Sequence, residues 1–463
     1  MKVTCLGAAG CVTGSKFLIG HGSKNILIDA GLYQERDLLS RNWDNFPFNP
    51  AQIDAVLLTH AHIDHCGYLP KLVKSGFRGK IYCTAPTREI AKVALIDSAK
   101  LQEEDAAYKL KRHRKEGRKG RYPEVPLYTE KDARAVFPLL RKVNYGEPLG
   151  LSNDLSVTFY DAGHILGSAM IEIKAATGAQ QNVWLFSGDI GRPHKPILKD
   201  PHVFTQADFV VMEATYGNKR HDDAETSLEK FAEIINATAE RGGKVLIPSF
   251  AINRTQEVMY YLDQLLDAKR IPRLPLYVDS PMAADVTEIY DMYPQEFDDE
   301  AKAVLQQERS LFHYPLLKII TDPQESRALN HLQGPAIIMA GSGMCNGGRI
   351  KHHLFHQIAK PENTLLFMGF QARGTLGRIL IDKPQQVRIL GQTIPVRAQI
   401  EKINGFSAHA DRDELLQWVS GVKTPIKKVF IVHAEDAAAQ EFAALLREKL
   451  HTEAIVPGYG DVG

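Results

Sequence analysis

The sequence predicts an α/β fold with more than one domain. Three observations carry that expectation. Residues 1–208 alternate short apolar runs with Gly, Asn and Asp turns, in hairpin-like and strand–helix segments, so sheets covered by helices are expected there. From residue 209 the rhythm becomes a regular strand–helix alternation, the pattern of a parallel sheet. The chain has 463 residues, which exceeds one ordinary domain of about 100–200.

Taken in order, the β-rich apolar runs at 2–6, 15–19, 25–28 and 55–59 read as strands, and the spacing at 68–75 and 88–109 reads as helices. Further strands fit 156–160, 169–174 and 183–187. Strand 245–248 then leads to helix 254–267, strand 276–278 to helix 283–292, strand 318–321 to helix 323–332 and strand 336–339 to helix 349–358, followed by strand 364–367. A helix at 413–420, a strand at 428–432 and a helix at 438–450 close the chain. There is no long Pro/Gly/Ser linker, so closely packed domains are expected.

The 44% hydrophobic and 24% charged content is that of a globular protein able to bury a large core without staples, so a bound metal is expected to be catalytic rather than structural. A net charge of +1 excludes a wholly basic nucleic-acid binder and makes any basic surface local. The five cysteines lack CxxC spacing, which points to a reducing compartment rather than a disulfide framework. The N-terminus lacks the pattern of a signal peptide, and no apolar run approaches the ~18 residues of a membrane span. A cytoplasmic setting is expected.

The chemistry concentrates after the strand at 55–59, where His60, His62, Asp64 and His65 fall within six residues. A chain leaving a strand is still extended at His60 and His62, so both imidazoles point the same way and can reach one metal. If the chain then turns, Asp64 and His65 face a neighbouring position. Imidazole and carboxylate together suit zinc. Other strand ends carry the same residue types: Asp29, Asp161 with His164, Asp189 and His433. Singly, such a histidine is usually a hydrogen-bonding or capping residue and such an Asp-Gly a turn. Their repetition in a chain that already holds HxHxDH favours a shared metal centre.

His60-x-His62-x-Asp64-His65, followed by His164 and Asp189 with Asp29 upstream, resembles the metallo-β-lactamase superfamily. The remainder resembles its β-CASP branch, which includes mRNA 3′-end processing endonucleases and bacterial and archaeal relatives. Met212-Glu213-Ala-Thr-Tyr216-Gly217 is similar to motif A, Phe406-Ser407-Ala408-His409-Ala-Asp411 to motif B and Val432-His433 to motif C. Ala434 departs from the glycine usual after the motif C histidine. The resemblance covers nearly the whole chain. It implies a metallo-β-lactamase αββα sandwich, in parts 1–208 and 395–463, interrupted by a β-CASP parallel α/β domain at 209–394.

The resemblance also implies site roles. His60, His62 and His164 would hold one zinc, Asp64, His65 and His433 a second, and Asp189 would bridge them. Asp64 would orient the attacking water, while His409, partnered by Glu213, would protonate the leaving oxygen. Asp29 would hold ligands by hydrogen bonding. The implied activity is hydrolysis of RNA phosphodiester bonds, endonucleolytic with exonucleolytic cleavage left open, giving 5′-phosphate and 3′-hydroxyl products. A homodimer fits the family.

In the insert, the Gly-rich turn 340–349, including Gly341, Ser342 and Gly343, lies between a strand and a helix, where backbone amides can hold phosphate. Glycines also simply permit tight turns. Ser249, Arg254, Arg373 and Gly374 sit at comparable strand ends and join them as candidate substrate contacts, while Arg349, Lys351, His352 and His353 read equally as phosphate ligands or an exposed helix face. The run 109–121 carries Lys109, Lys111, Arg112, Arg114, Lys115, Arg118, Lys119 and Arg121 against the single acid Glu116, either as a solvated helix end or as a phosphate-contacting arm. Three other functions compete. A small-ester or thioester hydrolase is disfavoured by the insert and by motifs A, B and C. A DNA nuclease of the same branch is disfavoured by His433, where DNA-acting relatives usually carry Val. A catalytically dead RNA-binding scaffold is disfavoured by the complete ligand set.

Overall fold

The computed structural model describes residues 1–117, 119–120, 122–307 and 310–463. The chain forms two compact units, one of Met1–Arg220 with His409–Gly463 and the other of His221–Ala408.

In the first unit, one sheet keeps chain order across Lys2–Cys5, Phe17–His21, Lys24–Ile28, Ala55–Leu57, Lys80–Thr84 and Leu140–Val143. A second sheet runs Glu453–Ile455, Lys428–Val432, Phe209–Glu213, Gln180–Phe186, Ala169–Thr177, Leu155–Asp161 and Leu149–Ser152. Phe209–Glu213 pairs in parallel with both Gln180–Phe186 and Lys428–Val432, which places it inside this unit although the compositional change in the sequence begins there.

Period-two alternation builds the layers. Phe430, Val432, Val211, Trp184 and Phe186 enter a core shared with Ile19, Ile26, Ile28 and Leu57 of the first sheet. Val429, Ile431, Val210, Met212 and Leu185 point the other way, against Leu415 and Trp418 of helix Arg412–Ser420 and Phe442 and Leu446 of helix Asp436–Leu450. Strands buried on both faces read as continuous apolar runs, as these do. Each fully buried Phe or Leu contributes about 1.5–3 kcal/mol. Helix Ala85–Glu116 packs against Lys80–Thr84 and Leu140–Val143, completing helix–sheet–sheet–helix layers. It is longer than the periodicity implied: Thr84 accepts from Thr87 N at its start, and the basic run stays helical until Gly117 turns left-handed at φ 62°.

The ends of the interrupted unit are joined to each other. Tyr216 bridges Asp411, Arg412 N donates to Lys219 O at 2.9 Å, and Arg220 pairs with Asp413 at 2.6 Å.

The second unit is a parallel sheet ordered Leu317–Ile319, Leu276–Asp279, Ala336–Ala340, Lys244–Pro248, Thr364–Phe367 and Gln399–Lys402. Its apolar face packs on helix Gly348–Gln357 through Ile350 and Leu354. No helix among the described residues is long and apolar enough to cross a membrane.

Candidate metal centre

The histidines and acids singled out in the sequence converge within the first unit. Ala55–Leu57 ends just before Thr59 and His60, and His62 is the extended residue preceding the short helix Ile63–Cys66, which carries Asp64 and His65. His164 follows strand Leu155–Asp161, Asp189 follows Gln180–Phe186, and Glu213 is the last residue of Phe209–Glu213. His433 follows Lys428–Val432 at φ 48°, a left-handed turn that redirects its ring from the strand. Among the described residues, Ala434 is not in that left-handed region, so alanine there carries no such strain.

Two groups face each other across one carboxylate. Ligand atoms of His60, His62, His164 and Asp189 lie within 4.8 Å of one another, as do those of Asp64, His65 and His433. Asp189 Oδ2 lies 3.4 Å from His60 Nε2 and 3.5 Å from His164 Nε2, whereas its Oδ1 lies 3.3 Å from His65 Nε2 and 3.7 Å from His433 Nε2. His433 Nε2 also approaches Asp64 Oδ2 at 3.5 Å. A carboxylate can serve two cations in this way, one per oxygen.

The outer hydrogen bonds fix which ring nitrogen faces inward. Asp29 Oδ1 accepts from Thr59 N and Oδ2 from Thr59 Oγ1, both at 2.8 Å. His65 Nδ1 donates to the same carboxylate at 2.7 Å. Because the Thr59 hydroxyl gives its proton to Asp29, it can only accept from His60 Nδ1, 3.1 Å away. Thr215 repeats the device, its hydroxyl donating to His433 O at 3.1 Å and accepting from His433 Nδ1 at 3.0 Å. In His60, His65 and His433 Nδ1 is therefore the outward donor and Nε2 the atom turned inward, the one that would ligate a metal once bare. His433 Nε2 and Asp189 Oδ1 are buried without a hydrogen-bond partner among the described residues. His62 Nδ1 sits 3.1 Å from His60 Nε2 and 3.3 Å from His164 Nε2. This donor set fits two divalent cations. Thr59 and Thr215 were not singled out in the sequence. The signal was available, since one directly precedes His60 and the other lies two residues after Glu213.

The electrostatics divide the two groups. Burial disfavours charge on His65 and His433, but Asp189 foremost outweighs it and raises both rings above the usual histidine range, so a cation bound there displaces a proton. Burial, aided by His65, holds the His60 ring well below the usual histidine range, and burial brings His62 to about 4, so both stay neutral and able to ligate. Burial opposes ionisation of Asp189, but the imidazoles of His433, His65 and His60 outweigh it and keep that carboxyl well below its ordinary value.

Beside Asp189 lies the pair His409 and Glu213. His409 Nδ1 is 2.9 and 3.2 Å from the two oxygens of Glu213, whose carboxylate also accepts from Ile190 N at 2.7 Å and Thr215 N at 3.2 Å. Burial disfavours the charged His409 ring, yet Glu213 foremost, then Asp189 and Asp64, raise it to about 9.

The candidate substrate contacts of the second unit gather beyond the carboxyl ends of neighbouring strands, where open α/β sheets bind ligands. Ser249 follows Lys244–Pro248, Gly341, Ser342 and Gly343 follow Ala336–Ala340, and the exposed Arg373 with Gly374 follows Thr364–Phe367. Ser249 Oγ is 3.0 Å from Thr255 Oγ1, and Arg254 is buried against Glu257. Arg349 and His353 are committed elsewhere, to Asp279 at 2.7 and 2.6 Å.

Three family models match the chain: a metallo-beta-lactamase superfamily domain at 18–190, a Beta-Casp domain at 255–380, and a Zn-dependent metallo-hydrolase RNA specificity domain at 393–457. The chain belongs to the β-CASP branch of the metallo-β-lactamase superfamily. It is 39% identical to Ribonuclease TTHA0252 of Thermus thermophilus, over 96% of each chain. It is 32% identical to the transcription termination factor FttA of Methanosarcina mazei, covering 98% of this chain and 70% of that one. A protein of unknown function from Enterococcus faecalis shares the fold, with TM-score 0.53 at 12% identity over 100% of this chain and 99% of the other.

Proposed function

We propose that the protein is a zinc-dependent ribonuclease that hydrolyses RNA phosphodiester bonds, with two zinc ions per chain. The observation that carries this reading is the division of Asp189, each oxygen facing its own pair of imidazole nitrogens. The ribonuclease relative and the RNA specificity model support the substrate class.

His60, His62 and His164 would hold one ion, and Asp64, His65 and His433 the other, with Asp189 shared. Zinc bound there supplies an ionised water near neutral pH and stabilises charge growing on the phosphoryl oxygens. Asp64 accepts the hydrogen bond that aims the attacking water. Attack at phosphorus in line with the 3′ oxygen forms a 5′-phosphate and breaks the P–O3′ bond, so the 3′ oxygen leaves needing a proton. His409 delivers it: Glu213 accepts from Nδ1 and holds the ring in its doubly protonated form, so Nε2 carries the proton offered to the leaving group. The RNA 2′-hydroxyl takes no part, so preference for RNA rests on binding. Ser249, Arg254, Gly341, Ser342, Gly343, Arg373 and Gly374 are assigned to that task.

The five cysteines are buried and unpaired, which supports a reducing, cytoplasmic setting. The family likeness adds a homodimer, checked by light scattering. The deciding experiment combines metal analysis with incubation of the zinc-loaded protein on end-labelled RNA and DNA of matched sequence. Two zinc ions per chain and internal RNA fragments with 5′-phosphates are expected. Cleavage of DNA alone, or of a chromogenic ester in preference to RNA, refutes the assignment.

A further inference from the structure

Helix Ala85–Glu116 begins at the metal centre and ends far from it. The Thr84 and Thr87 hydroxyls donate to Gly167 O at 2.6 and 2.7 Å, three residues beyond His164. At 1.5 Å per residue, Lys111 lies about 36 Å further along the same axis. Over its second half only a narrow stripe is buried, through Ala99, Ala106 and His113. His113 is tied to Glu124, which also accepts from Gly120 N at 3.0 Å, so the far end is anchored.

The opposite face carries Tyr108, Lys111 and Lys115 at i, i+3 and i+7, flanked by Arg112 and Arg114. Tyr108 is 59% exposed. Lys109 is neutralised by Asp105, and Arg112 by Glu116 at 3.6 Å. Lys111, Arg114, Lys115 and Lys119 are exposed and make no ion pair among the described residues. Arg118 and Arg121, part of the same run in sequence, lie outside the described residues. The helix dipole explains cations in the last turn, at Arg114 and Lys115, but not Lys109, Lys111 and Arg112 before it. Lys111 and Lys115 are like charges at i,i+4, which weaken a helix unless a counter-charge answers them.

We propose that this basic face, with Tyr108 as a stacking platform, binds the backbone of single-stranded RNA at a distance from the cleavage site. The proposal rests on the ribonuclease reading and adds a remote subsite to it. Cations in a row with an interleaved exposed aromatic are what sequence-independent single-strand binding needs. At about 3.4 Å per stacked nucleotide, the subsite engages RNA about ten nucleotides from the scissile bond.

The test uses the full-length, zinc-loaded protein and the triple variant Lys111→Gln, Arg114→Gln, Lys115→Gln, with RNAs of about 6 and about 30 nucleotides. Gln keeps helix propensity, and circular dichroism verifies the fold. For the long RNA, KM rises on the order of tenfold, and the slope of log affinity against log salt shrinks by about 2, or ~0.7 per lost phosphate contact. Short-RNA kinetics and kcat stay unchanged. Tyr108→Ala weakens long-RNA binding at an unchanged salt slope, and Lys111→Arg with Lys115→Arg restores wild-type behaviour. An equal loss on both lengths, or an unchanged slope, overturns the subsite. Fluorescence anisotropy reads binding without cleavage, so a wild type that binds long RNA through this face but cuts none would overturn the nuclease reading alone.

Discussion

Asp29 is the most informative position to perturb, because it touches no candidate ligand atom yet orients two imidazoles. Its carboxylate takes three hydrogen bonds, from Thr59 N and Oγ1 at 2.8 Å and from His65 Nδ1 at 2.7 Å. Asn is the right replacement. The residue sits at φ 57°, a left-handed conformation that Asn tolerates better than Ala, and the side chain keeps its shape. With the amide oxygen retained opposite Thr59 N, the amide NH2 takes the place of Oδ2 and faces the N–H of His65. Both hydrogen bonds to Oδ2, from Thr59 Oγ1 and from His65 Nδ1, are lost, and the charge-assisted one to His65 is worth about 1.5–3 kcal/mol. The His65 ring loses the partner that holds its tautomer. At ~1.4 kcal/mol per tenfold, that corresponds to about 10- to 150-fold weaker metal binding at the Asp64, His65, His433 position, in line with the 10–100-fold typical of residues that orient metal ligands. Chelator competition on Asp29→Asn, with metal content read by mass spectrometry, should show one ion released well before the other. Affinities within about twofold of wild type at both positions would refute this account of Asp29.

Other outcomes follow from the same geometry. His409→Ala should lower RNA turnover by about 10²–10⁴-fold while metal analysis still finds two ions per chain, and loss of metal would remove its assignment as general acid. Gly31→Ala should strip metal and destabilise the fold, since a Cβ there would lie 1.5 Å from Asp64 O and 2.9 Å from His65 N; normal metal content and melting temperature would contradict this. Lys16, buried with its ammonium on the carbonyls of Gly14 and Gly31, is lowered by burial, helped by Lys71 and Arg41, from 10.5 to about 7. The unfolded chain then holds the extra proton between pH 7 and 10.5, so Lys16 makes stability rise with pH across that window, by up to ~1.4 kcal/mol per unit, and its cost is complete below 7. Thermal melts at several pH values should show this slope in the wild type and its loss in Lys16→Met, and an unchanged slope would refute it.

The features legible in the sequence were those with a dense local signal. HxHxDH after an apolar strand, and acids and histidines repeated at strand ends, pointed to the histidines and acids grouped around Asp189, whereas His409 came only with the resemblance to motif B. The parallel strand–helix rhythm of the second unit was legible because its strands are buried on both faces and read as unbroken apolar runs. Short strands such as Lys80–Thr84 and Leu140–Val143, which lean on a neighbouring helix and sheet, left no such pattern. Nor did the amphipathic helix Ala224–Glu240, despite Phe231 and Ile235 on its buried face. Thr59 and Thr215 were placed by their neighbours in sequence, but the role of their hydroxyls was not legible. Their importance lies in which proton each gives away, and that depends on Asp29 and on the carbonyl of His433, far away in sequence.

Because Tyr216 is bridged to Asp411 and Lys219 O accepts from Arg412 N, the polypeptide leaves the metal-binding unit and re-enters it through one doorway. A segment spliced in at such a doorway begins and ends at neighbouring points, so its length does not set the separation of the two ends. The same junction is thus a natural grafting point, where a foreign module or a short turn could replace the excursion without parting Glu213 from His409.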